Sequence, residues 1–241
     1  TLTAVDSAIM VIDYTKGVES QTHKLMSVCR MRHTPIMTFI NKLDREGKEP
    51  IELLDEIEDK LKIKVCPISW PIGLGKEFKG VYHIPTKKIY LYNQSNKSKP
   101  ALELKELDDP VINEKVGDYL ANKLREDIEL ITGVYDKFQQ NDYLKGQITP
   151  IFFGSALNNF GVQHLLDFFS EQSPPPLNRE TDTKTIQPTD STFSGFIFKI
   201  HANIDPKHRD RIAFLRICSG IFERNKKIFH TRTKKQLKFS T

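Results

Sequence analysis

A polar turn of four residues, Asn41, Lys42, Leu43 and Asp44, directly follows a continuous apolar run over residues 35–40. Such a run is typical of a strand buried on both faces of a parallel sheet, and ligands bind just past the carboxyl ends of these strands. The Asp44 carboxylate can accept two hydrogen bonds side by side, which suits the N1–H and exocyclic amine of guanine. The Lys42 stem can lie along the base, and the Asn41 amide can bond to its edge. The turn therefore predicts a guanine site, although a strand-to-helix turn with Asp44 as the helix cap gives the same pattern.

A second turn, with the small residues Ser155 and Ala156, follows another apolar run over residues 148–153. Small side chains there let a backbone N–H approach a base carbonyl closely, and an N–H donated to guanine O6 would complement the Asp44 carboxylate. Adenine carries an amino group at that position and would leave buried groups unpaired. Alone, this turn would be an ordinary strand-to-helix connection. Together with residues 41–44 it favours a guanine pocket.

The elements that must position these turns alternate between strands and helices. Apolar runs predict strands over residues 7–13, 35–40, 63–68 and 148–153. Helical spacing of apolar residues predicts helices over residues 21–32, 113–131 and 160–170, with a further helix opening at Pro50. A strand–helix–strand unit is parallel and right-handed in nearly all proteins. The predicted fold class is α/β with a parallel sheet.

Two stretches interrupt this alternation. Short aromatic segments separated by Gly, Pro, Asn and Ser over residues 70–107 predict a small antiparallel insertion. The Pro-rich stretch that opens at residue 174 begins a polar linker, after which the apolar pattern changes to period two. We therefore expect an α/β domain over residues 1–173, a linker over 174–192, and the opening strands of a β-barrel over 193–241.

Charge is distributed unevenly along the chain. Residues 199–241 hold 12 Lys and Arg against 3 Asp and Glu, whereas residues 1–198 hold 24 against 28. A basic end of this kind suits a nucleic-acid-facing surface, with contacts expected from Lys207, His208, Arg209 and Arg211 and from the basic stretch over residues 224–238. A solvated face with balancing acids elsewhere is the alternative. No apolar run reaches the roughly 20 residues of a membrane span, and three scattered cysteines indicate a reducing compartment, so we expect a cytoplasmic protein.

The chain resembles the translational GTPases. The matching segments are residues 11–18, 41–45, 71–73, 78–81 and 155–157. The likeness is strongest to the members that recycle class I release factors in translation termination, through residues 39–45, 69–73, 152–156 and 205–211. The resemblance implies a GTPase-type parallel sheet, GTP or GDP as ligand, and the ribosome and class I release factors as partners, with ribosomal RNA a further possible partner. Carried over by position, it implies nucleotide contacts from the two turns (Asn41, Lys42, Leu43, Asp44, Ser155, Ala156 and Leu157).

The same resemblance shows what these 241 residues lack. No Gly-x4-Gly-Lys-Ser/Thr phosphate loop is present; around Gly75 and Lys76 the required positions hold Trp70 and Glu77. The magnesium-binding switch threonine and the Asp-x-x-Gly-His loop are also missing. The chain opens without Met, which suggests that upstream sequence is missing. We expect the latter part of a GTPase domain that keeps base specificity, binds magnesium only within an intact parent, and does not turn over GTP itself.

Three other interpretations compete with this one. The first is a different translational GTPase, of the elongation factor G or ribosome-protection type. The second is a non-catalytic module that binds ribosomal RNA through the basic end. The third is an unrelated α/β enzyme, which the scattered histidines and the lack of a nucleophile–base arrangement disfavour.

Overall fold

The computed structural model describes residues 2–92, 102–103, 106–202 and 211–239. The chain divides into two compact units, one over Ser7–Pro174 and one that combines the residues up to Asp6 with those from Pro175 onward. None of the helices in the described part of the chain is both long and apolar enough to cross a membrane.

The unit over Ser7–Pro174 holds six α-helices, one 3-10 helix (Gly75–Glu77) and eight strands within its described residues; the α-helices and strands are numbered below. In chain order they are β1 (Ala8–Asp13), α1 (Ser20–Met31), β2 (Ile36–Asn41), α2 (Pro50–Leu61), β3 (Lys64–Pro67), β4 (Ser69–Ile72), β5 (Gly80–His83), β6 (Lys88–Leu91), β7 (Leu102–Glu103), α3 (Pro110–Val116), α4 (Asp118–Val134), α5 (Gln140–Leu144), β8 (Ile148–Phe153) and α6 (Val162–Gln172).

The predicted strands form one parallel sheet in the order β1-β2-β8-β3. All six residues of β8 are buried, as are the first five of β2. Alternate residues of a strand point to opposite faces, so burial of both sets means that the sheet is covered on both sides. On one face, Met37, Phe39 and Phe152 pack in a core cluster with Leu165 of α6. The α/β fold class with a parallel sheet is confirmed.

The insertion is an antiparallel sheet in the order β4-β5-β6-β7. It is tied to the parallel sheet where β4 begins, because the Phe153 N–H donates to Ser69 Oγ at 3.0 Å and the Trp70 ring packs edge-on against Phe153. Trp70 is fully buried, and its Nε1–H donates to Asp127 Oδ2 on α4 at 3.0 Å. The polar loop within the insertion, residues 93–101, lies outside the described residues.

The single helix predicted over residues 113–131 is wrong, because the chain forms two helices there. Gly117, at φ +90° and ψ 155°, separates α3 from α4, and α4 continues through Gly133 to Val134. Both helices bury apolar side chains on either side of Gly117, so the spacing of apolar residues runs through the break without revealing it. The short helix α5 was not predicted from the sequence; it is five residues long, too short for a helical period to show.

The other unit consists of antiparallel strands. They are β9 (Arg179–Glu180), β10 (Thr185–Ile186), β11 (Ser194–Ala202), β12 (Arg211–Ser219), β13 (Lys227–His230) and β14 (Lys235–Lys238). Consecutive strands pair as β9–β10, β11–β12 and β13–β14. The period-two pattern after the linker thus gives antiparallel strands, as predicted, and the linker itself holds the small β9–β10 hairpin.

Candidate nucleotide-binding site

Three parallel strands end at one edge of the sheet, where the predicted turns meet. Asp13 at the end of β1 lies opposite Asn41 at the end of β2, and Ile40 lies opposite Phe153 at the end of β8. Because the carboxyl ends of parallel strands share an edge, the residues that follow them are brought together.

Asn41 joins the two turns directly. Its Oδ1 accepts one hydrogen bond from the Lys42 N–H at 2.9 Å and another from the Ala156 N–H at 2.8 Å. Backbone bonds reinforce the contact, with Gly154 N–H donating to Ile40 O at 3.0 Å and Leu43 N–H to Gly154 O at 3.2 Å. The structure therefore unites the turns that the sequence separates by more than 100 residues.

Lys42 is held by a carboxylate that the sequence analysis did not assign to the site. Its backbone is left-handed, at φ +76°, and its ammonium lies 2.5 Å from Asp13 Oδ2. The other Asp13 oxygen accepts from the Thr15 N–H and hydroxyl at 3.0 and 2.8 Å. Burial acts to raise the pKa of Asp13, but the bonds from Lys42 and Thr15 outweigh it and lower that pKa to about 2. The Asp13 carboxylate therefore stays ionised and fixes the Lys42 head group.

Asp44 carries an unmet acceptor. Its Oδ1 is buried and has no hydrogen-bond partner among the described residues, while the residue as a whole is partly exposed. A buried carboxylate oxygen without a donor is costly, and such groups in native proteins call for an explanation. The two adjacent N–H donors of guanine would satisfy this carboxylate, so the residues present fit a guanine base.

The turn after β8 forms a closed loop. The Ser155 N–H donates to Phe160 O, and the Phe160 N–H donates to Ser155 O, both at 2.9 Å. Ser155 is fully buried and its Oγ accepts from Asn158 Nδ2 at 3.1 Å, whereas Ala156 and Leu157 are exposed. Buried Ser155 thus anchors the loop, and the loop presents Ala156 and Leu157 outward. On the other turn, the Leu43 side chain is fully buried and anchors residues 41–44.

Glycines at both ends of that loop permit close backbone packing. A Cβ atom on Gly154 would lie 2.2 Å from Phe160 O, and one on Gly161 would lie 2.4 Å from Phe153 O. Gly161 also has φ +74°, a conformation that side chains disfavour. Any larger residue at either position would push the loop away from the sheet edge.

Glu56 on α2 holds the loop that follows β1. It accepts from the Val18 N–H at 3.1 Å, contacts the Lys48 ammonium, and lies 2.7 Å from Lys60 Nζ. Burial acts to raise the pKa of Glu56, but the bonds from these partners prevail and lower it to about 2. A charged Glu56 therefore keeps the loop between Asp13 and Val18 in place at neutral pH.

The predicted RNA contacts lie in the other unit. Lys207, His208 and Arg209 are outside the described residues, and Arg211 is exposed at the start of β12. The basic stretch over residues 224–238, which the sequence also suggested as an RNA contact, contains the β13–β14 hairpin, where Lys227 lies opposite Lys238 and His230 lies opposite Lys235. The two lysine charges at positions 227 and 238, directly opposite one another, destabilise the hairpin.

Sequence position alone could have identified Asp13. It is the last residue of a predicted buried strand, at the same sheet edge as residues 41–44, and only its pairing with Lys42 required the fold.

Comparison with known protein families agrees with this geometry. Residues 1–175 match the elongation factor Tu GTP binding domain, and residues 192–241 match elongation factor G domain 2. The first match covers more than two thirds of the chain. The chain therefore belongs to the translational GTPases, the family of elongation factors Tu and G.

Proposed function

We propose that this chain recognises the guanine base of GTP and GDP within a ribosome-associated GTPase. The observation that carries the proposal is the hydrogen bond from Ala156 N–H to Asn41 Oδ1, which joins the turn that holds Asp44 to the turn after β8; Asp44 Oδ1 is buried and has no partner in the described part of the chain. Family membership makes guanine nucleotides and the ribosome the expected partners.

Each residue has a distinct part in this proposal. Asp44 accepts hydrogen bonds from N1–H and the exocyclic amine, which selects guanine over adenine. The Ala156 N–H, which donates to Asn41 Oδ1 in the structure, passes to O6 when the base binds, and the freed Asn41 side chain then bonds to the edge of the base. Lys42, held by Asp13, lies beside the base with its stem partly exposed. Ser155, Leu43 and Leu157 complete the two turns.

Hydrolysis is not part of the proposal for these 241 residues. The sequence contains no phosphate loop to cradle the β- and γ-phosphates, and phosphoryl transfer depends almost wholly on positioning and charge stabilisation. In an intact parent protein, magnesium and the phosphate-binding loops would supply that chemistry. Purified chain should therefore bind guanine nucleotides without releasing phosphate from GTP.

We infer further that the parent belongs with peptide chain release factor 3, which promotes recycling of class I release factors in the cytoplasm. Support comes from residues 69–73 and 152–156, which form the junction between the insertion and the parallel sheet. Elongation factor G and the ribosome-protection proteins are the alternatives within the family. Faster dissociation of a class I release factor from terminated ribosomes, on adding the parent protein with GTP, would distinguish this role from those two.

Base recognition is tested by changing Asp44 to Asn. The amide would offer an N–H where guanine also offers donors, so affinity for GDP should fall at least about tenfold. Xanthosine diphosphate carries a carbonyl in place of the exocyclic amine, so affinity for that nucleotide should rise. Equilibrium dialysis with both nucleotides measures the change. Asp59→Asn is the matched control, because Asp59 is 81% exposed and pairs only with Lys62 among the described residues. Failure of unmodified chain to bind GDP, or equal losses in both variants, would contradict the proposal.

A second candidate function is RNA binding by the β13–β14 hairpin. Cross-strand Lys227 and Lys238 repel one another, and an RNA phosphate placed between them would relieve that repulsion. This surface suits ribosomal RNA and is compatible with guanine recognition in the other unit.

A further inference from the structure

Two residues that flank the strands of the insertion, Gly75 and Tyr92, contact the two turns that form the candidate site. Near the start of the insertion, the Gly75 N–H donates to Leu43 O at 2.9 Å. Just beyond β6, the Tyr92 hydroxyl accepts the Gly161 N–H at 2.8 Å. One structural element therefore touches the residues 41–44 turn and the closed loop after β8.

Aromatic packing strengthens the second contact. The Tyr92 ring stacks on Phe160, with ring centres 4.5 Å apart and planes 8° from parallel, and Phe78 packs against the same ring with centres 6.3 Å apart. Phe160 is 7% exposed, and its backbone closes the loop by bonding Ser155 in both directions. Fixing the Phe160 ring and the Gly161 N–H thus fixes the loop that ends there.

A continuous set of contacts leads from Tyr92 to the base-facing groups. Tyr92 holds Phe160 and Gly161, Phe160 closes the loop at Ser155, and the next residue, Ala156, donates its N–H to Asn41. The first link in this set is the hydrogen bond from the Gly161 N–H to the Tyr92 hydroxyl.

We propose that Tyr92 is a positioning residue for guanine recognition: through Phe160 and Gly161 it sets the place of the Ala156 N–H, and so couples the insertion sheet to nucleotide affinity. This rests on the proposed function for its effect on binding, but its structural half can be measured without nucleotide.

The first test is amide hydrogen exchange in the unliganded chain. Tyr92→Phe keeps the stacked ring and removes only the acceptor oxygen, so exchange at Gly161 and Ala156 should rise about fivefold, the loss expected for one hydrogen bond. Tyr90→Phe is the matched control, because the Tyr90 ring packs on His164, with ring centres 3.7 Å apart, rather than on Phe160. Exchange at Thr38 in β2 should be unchanged in both variants.

The second test is nucleotide affinity. Tyr92→Phe should weaken the binding of GDP and of inosine diphosphate by the same factor, about fivefold. Both bases carry O6, and the variant disturbs only the loop whose Ala156 N–H is proposed to contact that oxygen. Asp44→Asn, by contrast, should weaken the binding of GDP more than that of inosine diphosphate. Inosine diphosphate lacks the exocyclic amine and so has one hydrogen bond fewer to lose at this residue. A general loss of folding would also weaken binding of both nucleotides equally, so unchanged exchange at Thr38 in β2 is the readout that separates positioning from destabilisation.

The outcomes separate the two proposals. Unchanged exchange at Ala156 in Tyr92→Phe, or an equal rise in β2, would overturn the inference even if GDP binds as expected. Failure of unmodified chain to bind GDP would overturn the proposed function, whereas a rise confined to Ala156 and Gly161 would still support the positioning role of Tyr92.

Discussion

The backbone N–H of Ala156 donates to Asn41 Oδ1 at 2.8 Å, although the two residues are 115 positions apart in the sequence. This bond joins the turn after β2 to the turn after β8 and makes one surface of them. The same oxygen also accepts from Lys42 N–H, so Asn41 sets both turns at once. Its first role in the structure is therefore to hold the site together.

Asn41→Ala should reduce stability as well as binding. It removes the acceptor for two backbone N–H groups, and each hydrogen bond of this partly exposed kind contributes about 0.5–1.5 kcal/mol. Asn41→Asp keeps an acceptor oxygen and should lose less. The free energy of unfolding in urea, followed by circular dichroism, measures the difference.

Asn122→Ala is the control for that series. The Asn122 side chain is exposed and, within the described ranges, accepts only from Arg125 at 3.0 Å, so its loss should change stability by less than about 0.5 kcal/mol. Equal losses for Asn41→Ala and Asn122→Ala would show that Asn41 does not join the turns.

Glu56 should make stability depend on acid pH. Its pKa falls from 4.5 to about 2 in the folded chain, because the bonds from Lys48, Lys60 and Val18 outweigh its burial. A lowered pKa stabilises the fold fully above pH 4.5, and that stabilisation disappears as the pH falls toward 2. The difference in unfolding free energy between unmodified chain and Glu56→Gln should be on the order of 2 kcal/mol at neutral pH and shrink across that window.

Urea titrations at several pH values between about 2 and 7 measure this window. Glu52→Gln is the control, since the Glu52 side chain is exposed on the same helix and makes no ion pair within the described part of the chain. A stability difference for Glu56→Gln that stays constant down to pH 2 would refute the assignment.

Thr38 and Thr149 form a buried polar pair between β2 and β8. Both residues are fully buried, and their hydroxyl oxygens lie 2.8 Å apart. Changing either one to Val leaves the other hydroxyl unpaired and should cost about 1–3 kcal/mol, whereas changing both should cost less than the sum. A double-mutant cycle in urea tests the pair, and strictly additive losses would mean that the two hydroxyls do not depend on one another.

Neutralising Lys227 and Lys238 should have opposite effects on stability and RNA binding. Changing both to Gln removes repulsion across the β13–β14 hairpin, so its unit should become slightly more stable. The slope of log affinity against log salt for duplex RNA should fall by about one to two, because each lysine contact to a phosphate releases counterions. Fluorescence anisotropy between about 50 and 200 mM salt measures that slope.

The matched control neutralises two exposed lysines of the other unit, Lys24 and Lys76. RNA affinity and its salt slope should stay as they are in unmodified chain. If the control pair lowers the slope as much as Lys227→Gln with Lys238→Gln, RNA binding is a property of net charge and not of the hairpin.

Local sequence was sufficient to predict the strands of the parallel sheet and the positions of the two turns. Continuous apolar runs over residues 35–40 and 148–153 encode burial on both faces, and the strands formed there. The polar residues that follow each run were placed correctly at strand ends, because the parallel sheet puts carboxyl ends at one edge. The break at Gly117 was missed because apolar spacing continues across it.

What the amino-acid sequence determined by itself was the kind of element at each place and the chemistry carried by each turn. Only the tertiary structure decided which distant groups meet: Lys42 with Asp13, Asn41 with Ala156, and Tyr92 with Gly161. These pairings follow from the sheet order β1-β2-β8-β3, which inserts β8 beside β2 despite the long stretch of chain between them. Periodicity reports the burial of a residue within its own element, whereas sheet order depends on packing among all the elements together.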